Sequence, residues 1–171
     1  MRIHRIHSRQ RLATSLEQAW DFFATSANLP AITPDWLNFQ ITSDVPPQLS
    51  EGLAISYTIT PLLNVRVSWL TVIVSIDAPS VFVDEQRAGP YQLWHHRHEF
   101  EAVEGGVEAR DIVHYALPFD PFSRPLHDLI VRRQLESIFG HRYGALAERF
   151  GSLDAATDGT PPPGAIVFSM I

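Results

Sequence analysis

From residue 53 to residue 117 the chain is a near-continuous series of strand patterns, followed by a single long amphipathic helix. Leu53, Ile55, Tyr57 and Ile59 alternate with Ala54, Ser56, Thr58 and Thr60, so one face is bulky and the other small and polar. Residues 65–76 are rich in β-branched side chains and carry Trp69, and 81–87 read as a further strand. In the next stretch, Trp94, His96, His98 and Phe100 share one face, while His95, Arg97, Glu99 and Glu101 share the other. Residues 107–117 complete the run. Glu104-Gly105-Gly106-Val107 reads as a hairpin with a two-residue Gly-Gly loop. That loop predicts Phe100 opposite Asp111, His98 opposite Val113, His96 opposite Tyr115 and Trp94 opposite Leu117. The apolar sides of both strands then coincide.

A sheet this extensive cannot bury its concave face unaided. The helix predicted over 125–150, with Val131, Leu135, Ile138, Phe139, Tyr143, Leu146 and Phe150 in its stripe, is the only element long enough to cover it. Upstream, residues 2–12 read as a first strand. Thr14 and Glu17 have the spacing of a capping box for a first helix. A second short helix opens at Ser26 or Asn28 and ends by Thr33-Pro34, because the residue before proline avoids helical backbone. Residues 39–42 form a short strand. The expected class is therefore α+β, with a curved antiparallel sheet of about seven strands. Residues 1–151 are expected to form one domain, with 152–171 a flexible tail. The apolar end of that tail, Ile166 to Ile171, folds back on the body, adds a strand to a neighbour, or stays disordered.

Composition removes several chemistries. There is no cysteine, so disulfides, thiolate metal sites and cysteine nucleophiles are excluded. Lysine is absent too, since all 13 basic residues are arginine, and a lysine Schiff base is excluded with it. The net charge of −6, without a basic run, gives no nucleic-acid footprint. No apolar stretch is long enough to span a bilayer, and the N-terminus has no signal-peptide core, so a cytoplasmic location is expected.

The element order resembles the helix-grip fold of the START/Bet v1-like (SRPBCC) superfamily. Local motifs carry the likeness further. Asn28-Leu29, Thr33-Pro34-Asp35-Trp36-Leu37 and Phe39 are followed by Phe82-Val83-Asp84-Glu85-Gln86 and Gly89-Pro90-Tyr91. Then come Trp94 to Phe100, and Asp111, Val113 and Tyr115-Ala116-Leu117-Pro118-Phe119. Together they are similar to a bacterial ligand-binding, polyketide cyclase/dehydrase-like branch, some of whose relatives lie beside sugar-epimerase-like proteins. The likeness covers roughly residues 1–150. It implies an apolar pocket between the sheet and the long helix, for a small hydrophobic ligand such as a lipid, quinone or polyketide-like molecule.

On that reading the pocket wall comprises Tyr57, Trp69, Phe82, Trp94, His96, His98, Val113, Tyr115 and Phe139, with Phe119 and Phe122 near its mouth. The His96-x-His98 pair could present two imidazoles to a metal, with Asp111 as third ligand. That count is marginal for zinc, so no metal and no cofactor are expected. Asp111 and Arg142 are expected to pair and pin helix to sheet. Asp84 is the rival partner of Arg142, and a ligand carboxylate the third possibility. Two other functions stay open. One is a cyclase- or dehydrase-type enzyme using His96 or His98 as base, with Tyr115 or Arg142 stabilising charge. The other is a protein-interaction module.

Overall fold

The computed structural model describes residues 1–62, 65–119, 125, 127–154 and 160–171. The chain opens with β1 (His4–Leu12) and α1 (Leu16–Phe23), followed by two 3-10 turns, Ser26–Ile32 and Asp35–Leu37. Strands β2 (Gln40–Ile41), β3 (Ala54–Leu62), β4 (Val65–Asp77), β5 (Val81–Ala88), β6 (Leu93–Val103) and β7 (Gly106–Ala116) follow. A π-helical turn, His127–Val131, runs into α2 (Arg132–Phe150), and β8 (Ile166–Met170) closes the chain. The sheet has eight strands in the order β2-β3-β4-β5-β6-β7-β1-β8, every recorded pairing antiparallel. Leu135, Phe139, Tyr143 and Leu146 of α2 are buried against its concave face. This is the expected α+β helix-grip arrangement.

Four expectations are corrected or refined in detail. The capping box on α1 belongs to Ser15 and Gln18, one residue beyond the Thr14/Glu17 pair. The Ser15 hydroxyl accepts from the Gln18 N–H at 3.2 Å, and the Gln18 side chain reaches back to the Ser15 N–H. The second short helix runs from Ser26 to Ile32 as expected and is of the 3-10 type; it contains Pro30, which has no N–H to give to an α ladder.

The third correction concerns the β6–β7 hairpin, which is shifted by two residues from the predicted register. His98 lies opposite Asp111, His96 opposite Val113 and Trp94 opposite Tyr115. The turn residues are Glu104 and Gly105, with Gly105 at φ +81°, while Gly106 is already paired with Val103. A side chain at Gly106 would strike the Leu12 carbonyl of β1, so Gly106 serves close strand approach and leaves the turn to its neighbour. A shift of two preserves which face each side chain points to, so the inward set survives the error.

The fourth point concerns the tail, whose apolar end takes the first of its three alternatives and folds back on the body. Residues 166–170 form the edge strand β8, antiparallel to β1 with His4 opposite Met170 and Ser8 opposite Ile166. The strand count rises accordingly. Ile166 and Phe168 pack toward the Ile6, Val113 and Tyr115 cluster, and the Arg132 guanidinium sits over the Phe168 ring at 5.5 Å.

Gly140 lies mid-helix with nothing within 4 Å of where a Cβ would be. Alanine there removes backbone freedom from the unfolded chain without a clash. Gly140→Ala is expected to stabilise by about 0.5–1 kcal/mol, read as a higher urea midpoint at unchanged m-value.

Candidate functional site

The inner faces of β3 to β6 are bulky because each strand alternates, and the sheet curves around α2 without closing on it. The space left is a cavity of about 680 Å³. Its wall includes Ile55, Tyr57 and Ile59 from β3, Trp69, Thr71 and Ile73 from β4, and Phe82 and Asp84 from β5. Trp94, His96 and His98 come from β6, and Leu135, Ile138, Phe139 and Arg142 from α2. The two 3-10 turns contribute Leu29, Ile32 and Leu37. The lining is predominantly apolar, the usual character of a small-molecule site.

Aromatic side chains concentrate at one part of this wall. The Trp69 ring packs on Tyr57, Tyr91 and Trp94, with centroids 5.3–5.7 Å apart. The polar atoms of Trp69 and Tyr57 are turned to Thr71, whose Oγ1 accepts from Trp69 Nε1 at 3.0 Å and lies 3.3 Å from the Tyr57 hydroxyl. Burial pushes the Tyr57 pKa well up, so the phenol stays neutral.

Further along β6 the wall turns polar. Adjacent strands place Asp84 opposite His96, and His98 opposite Asp111, all on the inner side of the sheet. His98 Nε2 is 3.0 Å from Asp84 Oδ2, and His98 Nδ1 is 2.8 Å from Asp111 Oδ1. His96 Nε2 is 3.0 Å from the same Asp111 oxygen, and its Nδ1 is 3.8 Å from Asp84 Oδ2. The two imidazole rings lie 3.8 Å apart between centroids, tilted 35° to each other. Arg142 Nη2 comes from α2 to 3.3 Å from Asp111 Oδ1, and its guanidinium sits over Phe23.

Charge bookkeeping follows from those contacts. Two carboxylates share one guanidinium, so a second positive charge is required for neutrality. His98 supplies it, because both of its nitrogens face carboxylates and both act as donors. Burial alone would lower the His98 pKa, but hydrogen bonds to Asp111 and Asp84 raise it above the ordinary value. His96 goes the other way: burial and then the charge on His98 lower it, leaving a neutral ring that donates Nε2–H to Asp111. Burial opposes ionisation of Asp111, yet the Arg142 charge and the two histidines hold its carboxyl well below the usual range. Asp84 is likewise lowered, against its burial, by the His98 hydrogen bond and the neighbouring charges.

The residues singled out from sequence distribute unevenly. Tyr57, Trp69, Phe82, Trp94, His96, His98, Phe119, Phe139 and Arg142 line the cavity. Val113 and Tyr115 do not; both are fully buried beyond its end. There the π-helical turn covers them, and the Tyr115 hydroxyl meets His127 Nε2 at 2.9 Å. The Tyr115 hydroxyl is thus engaged by His127 and is not part of the cavity wall. Asp111 sits behind the histidines, off the main wall. Phe119 is 81% exposed on the rim, with left-handed backbone at φ 62°. Phe122 lies outside the described residues. Asp84 and Tyr91 were missed as wall residues. The signal for Asp84 was its alternation with Phe82 on one face of β5.

No family model and no curated protein matches the chain. Solved structures do. A protein from Rhodobacter sphaeroides superposes with a TM-score of 0.61 at 20% identity, covering 85% of this chain and 90% of that one. Ara h 8.0201 gives 0.58 at 18% identity, with 85% and 99% covered. The nucleoside-diphosphate sugar epimerase from Corynebacterium glutamicum gives 0.59 at 16% identity. It is matched over 83% of this chain but only 28% of that one. At such identities the likeness establishes the fold, and that fold is Bet v1-like. Among the described residues no helix is long and apolar enough to cross a membrane.

Proposed function

We propose that this chain, Bet v1-like in fold, binds one small hydrophobic molecule inside the sheet–helix cavity and holds it for storage or transfer. The observation that carries the reading is a cavity of about 680 Å³ whose apolar wall converges on one polar cluster. That volume falls within the roughly 300–1,000 Å³ range of small-molecule sites. The ligand class is a lipid, quinone or polyketide-like molecule with a flat or branched apolar body and an oxygen-bearing head. The aromatic region of Trp69, Tyr91 and Trp94 suits the body. The head faces His96, His98 and Arg142. Arg142 Nε is buried without a hydrogen-bond partner, and its N–H is a donor for a ligand carbonyl or carboxylate. The surroundings favour binding over acid–base catalysis, since both nitrogens of His98 are already engaged by carboxylates.

Trp69 and Trp94 on the wall provide the readout. Fatty acids and short-chain quinones titrated into the protein should quench or shift tryptophan emission with saturation at one molecule per chain. Ile73, on the inner face of β4, points into the same space. Ile73→Trp should weaken binding at least tenfold, about 1.4 kcal/mol, while the protein stays folded. Equal affinity in the variant, or no saturable binding by either protein, would contradict the proposal.

A further inference from the structure

The polar cluster has a second geometry within it. Each histidine turns one nitrogen to Asp111 and the other to Asp84. His96 Nε2 and His98 Nδ1 converge on Asp111 Oδ1 at 3.0 and 2.8 Å. His96 Nδ1 and His98 Nε2 face Asp84 Oδ2 at 3.8 and 3.0 Å. One ligand atom from each of Asp84, His96 and His98 lies within 4.8 Å of the others. We propose that Asp84, His96 and His98 form a site for one divalent first-row transition ion of the Zn²⁺ or Fe²⁺ class, with its open coordination positions facing the cavity.

Three features support the assignment. The first is distance. With metal–ligand bonds of about 2.0–2.1 Å, donor atoms around one ion lie about 3–3.4 Å apart, which the 3.0 and 3.8 Å separations bracket. The His96 and His98 donor atoms lie within 4.8 Å of each other, so His96 moves toward the other two when the three close onto an ion. The second is the outer shell. A metal-bound histidine normally gives its other ring N–H to a carboxylate, which fixes tautomer and ring plane. Asp111 does this for both rings at once and is itself anchored by Arg142 at 3.3 Å. The third is access. Asp84, His96 and His98 line the cavity, whereas Asp111 does not. An ion held by three protein ligands there would be left open to the cavity interior.

From the predicted register Asp111 was the candidate third ligand, and no metal was expected. The structure gives Asp111 the supporting role and brings Asp84 in from the neighbouring strand. Two imidazoles and one carboxylate make a mixed nitrogen–oxygen set suited to Zn²⁺ or Fe²⁺ and poorly suited to Ca²⁺ or Mg²⁺. An ion here would meet the head of any molecule in the cavity, but its binding does not depend on such a molecule. The test therefore uses metal alone.

Tag-free protein, stripped by chelator and freed of extractable organic molecules, is titrated with Co²⁺ and Zn²⁺. One ion should bind per chain with a dissociation constant below about 10 µM, and Co²⁺ should develop visible d–d absorption. Asp84→Asn, His96→Gln and His98→Gln should each weaken binding more than about 100-fold. Asp111→Asn should weaken it about 10–100-fold. The outward pair His95 and His114, with rings 6.1 Å apart, is the control: His95→Gln with His114→Gln should leave affinity unchanged. If a variant does not fold, nitrogen-15 spectra of wild-type histidines decide. Zn²⁺ should shift His96 Nδ1 and His98 Nε2 and spare the other rings. Failure to bind one ion, retention of affinity in His98→Gln, loss with the His95/His114 pair, or shifts at other nitrogens would overturn the proposal.

Discussion

Replacing Asp111 with alanine is expected to cost about 3–5 kcal/mol of folding stability, because it strands two buried positive charges. Its side chain is 13% exposed, and its Oδ1 meets Arg142, His96 and His98. Asparagine keeps the shape but not the charge, so Asp111→Asn should lose somewhat less. The pair can be isolated by combining Asp111→Asn with Arg142→Gln. Losses in the double variant should fall short of the sum of the single losses by about 0.5–3 kcal/mol, and strict additivity would remove the pair. Urea melts in chelator-containing buffer make the measurement.

The same variant carries a pH signature. Asp111 and Asp84 have folded pKa values below their unfolded ones. Their stability is therefore present above an unfolded carboxylate pKa of about 3.9 and is lost as pH falls through the folded values. His98 is raised, so its contribution is present below about pH 6.5 and is lost as pH rises through its folded value. His96 is lowered, so protonation below about pH 6.5 works against the fold. The gap between wild type and Asp111→Asn should be widest near pH 5–6, where the carboxylates and His98 are all charged, and should close in strong acid. A gap independent of pH would contradict the charge assignment.

Gly106→Ala is expected to cost about 3 kcal/mol or more, at the upper end for overpacking. The new Cβ would meet the Leu12 carbonyl, and this obstacle is backbone, with no flexible side chain to swing aside. Leu12 pairs with Val107 at the end of the β1–β7 ladder, so relief requires the two strands to separate. The neighbouring Gly105→Ala should cost less. Its Cβ meets only the Leu153 side chain at 3.8 Å, and the strain comes from φ +81° alone. Thermal melts of the two variants give the order directly. A smaller loss at Gly106 than at Gly105 would contradict the account of the hairpin.

These two glycines also show what the sequence could carry. Alternation along β6 and β7 identified the inward faces, because a period of two is a local property. Which glycine occupies the turn was not local, since β1 decides it through the Leu12 carbonyl. The register was therefore misread by two residues, while every face stayed correct. Asp84 was legible as an inward residue and as a partner for Arg142. Its place beside His96 and His98 depends on the β5–β6 register, which no turn motif fixed. Val113 and Tyr115 had the right face but the wrong level, because the π-helical turn at His127 closes over that end of the sheet. The apolar end of the tail was visible in Ile166 to Ile171. Its docking on β1 was not, since an open sheet edge cannot be recognised before strand order is known.

The central claim is that the cavity holds a small hydrophobic molecule. Native mass spectrometry of protein purified without detergent, followed by denaturation and extraction, tests it most directly. The expected result is a population heavier by one small molecule per chain, released on unfolding as an apolar species and reduced in Ile73→Trp. A single apo mass, nothing in the extract, and no mass shift after incubation with fatty acids or quinones would contradict the claim.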